Sequence, residues 1–182
     1  MPVSQLIGGG LGFTPGSVKY LVTTGLDTAE ASELIADICD AVVAEIQAGI
    51  IAGRWPDMET SWEYLYESQL PTDDTLRCRV TPPPQRGVEL IARVGQQVRV
   101  TLAITVRQRV SDTSNATIDP IMAGVEALVS YYAQKRALTG LTGVKVWGEV
   151  DMPLVFDPNK LWQEATFEAT FNAVFGRFLN LN

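Results

Sequence analysis

Between residues 98 and 106 apolar and polar side chains alternate: Val98, Val100, Leu102, Ile104 and Val106 take one side, Arg99, Thr101, Ala103 and Thr105 the other. A period of two belongs to a half-buried strand, because successive side chains leave the backbone on opposite faces. Residues 165–175 repeat the pattern, with Ala165, Phe167, Ala169, Phe171, Ala173 and Phe175 on one face and Thr166, Glu168, Thr170 and Asn172 on the other. Large and small side chains in alternation suit packing against a helix, since each Ala leaves a notch between two rings. Over residues 120–138, Ile121, Met122, Val125, Leu128, Val129 and Tyr132 fall on one helical stripe. The pattern predicts a core of two long strands and one helix.

In chain order, Gly8, Gly9, Gly10, Gly12, Pro15, Gly16 and Gly25 predict an extended arm over residues 1–26. These glycines lack the GK[ST] and the preceding strand of a phosphate-binding loop, so phosphate binding is not expected. A first helix is predicted from Asp27 or Thr28, with Asp27 as its cap and Glu30 at the capping-box position. Ala31, Leu34, Ile35, Ile38, Val42, Ile46 and Ile50 keep helical spacing until Gly53. Glu33, Asp37 and Asp40 share a line on it; oxygen ligands for a metal fit that line, and so does the commoner solvated face.

Residues 62–66 predict a short aromatic strand at a sheet edge, and Asp73 and Asp74 a turn. Leu76, Cys78 and Val80, alternating with Arg77 and Arg79, predict a further strand that Pro82, Pro83 and Pro84 end, because proline cannot donate to a ladder. A triple proline also suits a polyproline recognition segment, although its place straight after a strand favours a stiff exit. Residues 86–94 read as an excursion before the long strand. Asp119 and Pro120 read as the cap and first residue of the second helix, with Lys135 and Arg136 in its last turn, where the helix dipole favours cations. Residues 144–150 predict another strand around Trp147. Residues 151–158 predict an extended loop whose Asp151 and Asp157 read as turn residues rather than an acid/base pair. The sum is an α+β fold, one domain over residues 1–182: a mostly antiparallel mixed sheet of four to five strands, two main helices packed on it, an N-terminal arm and a long loop or hairpin.

An apolar content of 46% in 182 residues suffices for one core of two layers. The net charge of −7 leaves no basic stripe for wrapping nucleic acid, so direct DNA binding is not expected. Arg86, Arg93, Arg99, Arg107 and Arg109 nevertheless gather on the excursion and the outer face of the strand after it. In an acidic chain this fits a surface that meets an acidic neighbour, and equally a solvated strand face. Cys39 and Cys78, without a CxxC and without any histidine, signal neither a zinc site nor a disulfide framework and read as core thiols. No signal peptide and no span-length apolar run is seen, so a soluble protein made in a cytoplasm is expected. Without histidine, GxSxG or paired cysteines, no catalytic, cofactor-binding or metal residue is singled out, and the chain is not expected to be an enzyme.

The order helix, strand, proline-ended strand, long Arg-bearing strand, helix, strand, Pro/Asp loop and long final strand resembles tail terminator or tail completion proteins of tailed bacteriophages. The resemblance is carried by Leu76, Arg77, Cys78, Arg79, Val80, Thr81 and Pro82, by residues 98–110 and 119–138, and by the run from Phe156 and Asp157 through Phe167 to Phe171. It covers residues 60–178 and is one of pattern and order, not of an invariant motif. It implies a structural virion protein of the tail or neck, made in the host cytoplasm, that forms a homo-hexameric ring on the tail tube, stops tube growth and meets the head-side connector or neck protein. Genomic DNA then passes through the lumen without specific binding, and no cofactor or membrane is involved. An acidic lumen suits that role, since gripping DNA depends on neutralised phosphates and released counterions. Loops 81–96 and 111–119 and the arm become the contact surfaces, with Pro83, Arg86, Arg93, Arg99, Arg107, Arg109 and Asp112 as contact residues. A head-completion or neck protein fits the same pattern. A different class, a small-molecule-binding or enzymatic bacterial α+β domain, would line a pocket with Trp55, Trp62, Tyr64, Tyr66, Trp147 and Trp162.

Overall fold

The computed structural model describes residues 28–64, 73–82, 96–146 and 155–179. Helix α1 (Thr28–Ile51) buries Leu34, Ile35, Ile38, Cys39, Val42 and Ile46 along one stripe, as the helical spacing requires. Gly53 ends it. Its φ of +67° is open to a residue without a Cβ, and it brings Gly53 N to Ile50 O and Arg54 N to Gly49 O, both at 2.9 Å. The chain then folds back and wedges Trp55 and Pro56 against the helices. A Cβ at Gly49 would stand 1.8 Å from the Trp55 ring, and one at Gly124 would stand 2.5 Å from Pro56, so these two missing side chains make the room. Trp55 Nε1 donates to Ile46 O at 2.9 Å, which satisfies the polar end of a buried indole.

The sheet runs in the order β1 (Glu59–Trp62), β2 (Arg77–Thr81), β3 (Gln96–Arg109), β6 (Thr166–Leu179) and β4 (Val144–Val146), with β5 (Val155–Phe156) also paired to β6. Only the β1–β2 pair among these is parallel. Strands β3 and β6 pair along their whole lengths, from Gln96 opposite Leu179 to Arg109 opposite Thr166. That register sets Val100, Leu102, Ile104 and Val106 against Phe175, Ala173, Phe171 and Ala169 on one face, none of them more than 1% exposed. Helix α2 (Asn115–Gln134) lays Ile121, Val125, Leu128 and Tyr132 over this face. The Tyr132 ring lies 6.4 Å from Phe171 and 6.1 Å from Phe175, over the notch left by Ala173. The mixed, mostly antiparallel α+β sheet and its Phe/Ala inner face are therefore as the alternation predicts.

Five local readings need correction. Helix α2 begins at Asn115, with Ser114 rather than Asp119 at its N-cap, and Pro120 lies inside it. Asp112 does the holding: it accepts from Ser114 N at 2.9 Å and Ser114 Oγ at 2.5 Å. Pro120 costs the helix one backbone bond, while the added turn sets Ile118 against the core. The helix also stops at Gln134 instead of reaching Leu138, since Lys135 is extended with ψ 138°. Between the predicted loop 151–158 and the last strand lies an unpredicted helix, α3 (Pro158–Glu164), which Asp157 caps by accepting from Asn159 N at 2.9 Å and Lys160 N at 3.3 Å. About two turns are too short for periodicity to register. Ala165 is then an exposed left-handed cap with φ 48°, not the first inward strand residue. Finally, the edge strand stops at Trp62, before most of its aromatic run; Tyr64 is exposed beyond it.

The arm of residues 1–26, the prolines 83 and 84, the excursion 86–94, residues 65 and 66, and Trp147 with residues 148–151 lie outside the described residues. Glu33, Asp37 and Asp40 are exposed on α1, and Asp40 accepts from Trp62 Nε1 at 2.6 Å. Among the described residues no group of three His, Cys, Asp or Glu could hold a metal, and no helix is long and apolar enough to cross a membrane.

Cys39 and Cys78 are free thiols in the core. Burial pushes both from 9.0 up to about 12, with the Asp40 carboxylate adding to the effect at Cys39. Burial, with Glu45 nearby, likewise raises the Tyr132 hydroxyl well above 10.0. In each case the folded chain keeps a proton that the unfolded chain gives up, so stability is full below pH 9 and falls as pH rises towards 12. The urea midpoint should be flat from neutral pH to about pH 9 and decline above it. A thiol reagent at neutral pH should label neither cysteine before the chain unfolds.

Candidate assembly surface

The face of the sheet turned away from α1 and α2 is built by the other half of the same alternation. Its first row crosses four strands: Glu59 opposite Arg77, Arg77 opposite Arg107, Arg107 opposite Glu168. The next is Ser61, Arg79, Thr105 and Thr170, in which Thr105 Oγ1 and Thr170 Oγ1 lie 3.0 Å apart. Thr81, Ala103 and Asn172 follow, then Thr101 and Val174. Arg99, Gly176 and Lys145 come next, before Gln97 opposite Phe178. One end is thus densely charged, the middle is small and hydroxylic, and the far end is basic.

The charged end is largely paired within the subunit. Arg77 binds Glu59 at 3.1 Å and Asp73 at 2.7 Å; Arg79 binds Glu59 at 3.1 Å and Glu63 at 3.5 Å. Hydrogen bonds from Arg77 and Arg79 hold the Glu59 carboxyl below its ordinary range. Deeper in, Arg107 Nε lies 3.2 Å from Glu168 Oε2, and Lys160 on α3 binds the other oxygen of Glu168. Arg107 and Glu168 are only 11% and 12% exposed at their side chains. With two cations on one carboxylate, this triad pins α3 to the sheet, helped by Asp157 N donating to Glu168 O at 3.2 Å.

A second buried network joins the helices on the inner face. Lys135 binds Glu45 and donates to Tyr131 OH at 2.6 Å and Thr139 Oγ1 at 3.0 Å, while Thr139 N donates to Glu45 at 2.6 Å. Burial alone would lower the Lys135 ammonium; the bonds to Glu45 and Tyr131 outweigh it, and the net shift is upward. The Arg54 guanidinium lies 5.7 Å over the Tyr131 ring, and Trp55 meets that ring edge-on at 5.4 Å. No open cleft is needed to explain these groups: they tie α1 to the end of α2.

Of the residues singled out in sequence, Pro83, Arg86 and Arg93 lie outside the described residues. Arg99, Arg107 and Arg109 share the outer face of β3, but Arg99 and Arg109 stand roughly 33 Å apart along it, at about 3.3 Å per residue. They do not form one patch. Arg107 serves the Glu168 triad, Arg109 is exposed, and Asp112 anchors the start of α2. Among the described aromatic residues Trp62 and Tyr64 meet edge-on at 5.1 Å and Trp62 also binds Asp40, but Trp55 is buried against Ile46 and Trp162 is 85% exposed on α3, so these do not line one site. Lys160 has no signal in the sequence because α3 has none, and Trp162 stands there only as a candidate pocket residue. Glu168 was seen only as an outward position, although its partner across the ladder is a cation.

No protein-family model matches this chain, and no curated protein matches it. Solved structures are similar in part, two of them as follows. One, of no stated function, is 14% identical with TM-score 0.45, covering 83% of this chain and 98% of its own. The other is the sheath/tube terminator of an extracellular contractile injection system, PVC, in its extended state, solved by cryo-EM: 14% identity, TM-score 0.41, 81% of this chain. This chain spans 57% of that terminator's length. Likeness at these scores is partial, and the functional reading rests on the chain's own elements.

Proposed function

We propose that this chain is a tail terminator: a structural subunit of a phage-like tail that forms a ring, six-membered by the resemblance, at the end of the tail tube. The ring stops tube growth and joins the tube to the head-side connector, and DNA passes through its lumen. The carrying observation is the order of elements. A proline-ended strand (β2), a long Arg-bearing strand (β3), a helix (α2) and a long closing strand (β6) occur in the sequence order shared with terminators, and β3 and β6 pair at the centre of the sheet. The organisation of the polar groups supports the reading. The buried charges are absorbed in two intramolecular networks, and the described aromatic residues line no common site, which favours a protein that works through its surface over one that binds a small molecule. The acidic balance of −7 suits a bore through which DNA slides.

The test is the mass of the purified chain in solution, read with negative-stain images of the same sample and repeated with tail tubes. A ring with a central hole, near six times 19.9 kDa, is the expected result. A monomer that also leaves the ends of tail tubes bare overturns the reading.

A further inference from the structure

Five of the seven residues of α3 are exposed and none is buried; on its apolar side only Leu161 packs against the core. A helix of about two turns does not stand by itself in water, because its nucleus costs more than so few backbone bonds return. What holds α3 is a fastening at each end. At the front Asp157 caps it, and Lys160 reaches the oxygen of Glu168 that Arg107 leaves free. At the back Ala165 closes the last turn, its N–H on Lys160 O and its own O accepting Val110 N–H at 2.8 Å.

The back fastening works against strain. Ala165 is left-handed, with φ 48°, a conformation that crowds its Cβ against the following carbonyl. Neither fastening belongs to the central ladder: β6 pairs with β3 along its whole length, and Arg107 holds Glu168 from within that pair. Lifting α3 therefore bares little apolar surface, leaves Glu168 one of its two cations, and relaxes the alanine. Few buried apolar contacts on a firmly paired sheet are the conditions for local opening.

We propose that α3 is a clasp: residues 158–165 lift and close as one unit while the sheet stays folded, with the Lys160–Glu168 pair as the catch and Ala165 as the hinge. The clasp gives this end of the subunit two shapes, and Trp162, 85% exposed, rides on the moving part. It operates within one chain and does not depend on the ring reading.

Hydrogen exchange of the full chain, followed by mass spectrometry, tests the clasp. In the wild type, peptides across residues 158–165 should exchange at least about a hundredfold faster than the β3–β6 ladder. Lys160→Met removes the catch and leaves the Arg107–Glu168 pair; Ala165→Val puts a branched Cβ on a left-handed residue. Each should speed exchange of 158–165 at least about fivefold, whereas Ala165→Gly should slow it about threefold. In all three the ladder's exchange and the urea midpoint should hardly move, since the loss is limited to the clasp's own opening. Clasp and ladder exchanging together in the wild type would mean that α3 opens only with the sheet, and would overturn the proposal. So would a Lys160→Met chain that exchanges like the wild type, or an Ala165→Gly chain no slower than Ala165→Val.

Discussion

Phe171→Asp unfolds the chain. Phe171 has no exposed surface, faces Ile104 across the ladder and lies under the Tyr132 ring. Removing such a ring costs about 3–5 kcal/mol, and a carboxylate left without a partner among Ile104, Leu102 and Tyr132 costs several more. The sum reaches the whole stability of an ordinary domain, about 5–15 kcal/mol. The far-ultraviolet dichroism of the variant should lack native strand and helix signals at 25 °C, or its melting temperature should collapse. Thr170→Asp, one position away on the opposite face, should remain folded. A melting temperature for Phe171→Asp close to the wild type's means that the Phe/Ala face is not the core.

The second large effect comes from an ion pair. Lys135→Met leaves Glu45, whose side chain is 5% exposed, with Thr139 N but without its cation. Breaking a buried pair from one side costs about 3–5 kcal/mol, because the surviving charge keeps its desolvation penalty and loses its compensation. Removing both charges, in Glu45→Leu with Lys135→Met, should recover most of that loss, short of the bond that Thr139 N forfeits, about 1–3 kcal/mol. Urea titrations of the wild type, the single variants and the double variant give the coupling directly. Additive losses would show that Lys135 and Glu45 act independently, against the geometry of the network.

Much of the fold was legible because it is written in periods. The alternation in residues 98–106 and 165–175 identified the two central strands and their inner face, and the stripe from Ile121 to Tyr132 identified the helix that covers it. What escaped was decided by single contacts. Asp119 before Pro120 has the chemistry of a helix start, yet Asp112 wins that role through its bonds to Ser114, because the extra turn adds Ile118 to the core. Helix α3 is held by the Asp157 cap and one buried carboxylate rather than by an apolar stripe, so periodicity had nothing to report. The candidate surface was legible in less detail. A run of arginines along β3 looks like a patch in sequence, but a strand is long, and pairing across the ladder gives each arginine a different neighbour.

The ladder between β3 and β6 also sets the order of events as the chain folds. Strand β6 is synthesised after every other strand of the sheet, yet it takes a place inside the sheet, between β3 and β4. Until it arrives, Val100, Leu102, Ile104 and Val106 lack the Phe/Ala face they pack beside, and the unfilled edge of β3 is open to any strand that reaches it first. The contacts that close the core are therefore far apart in sequence and late in synthesis, the conditions for slow folding. A chain whose final step fills a gap at the centre of its own sheet is most open to mispairing with another copy during that wait.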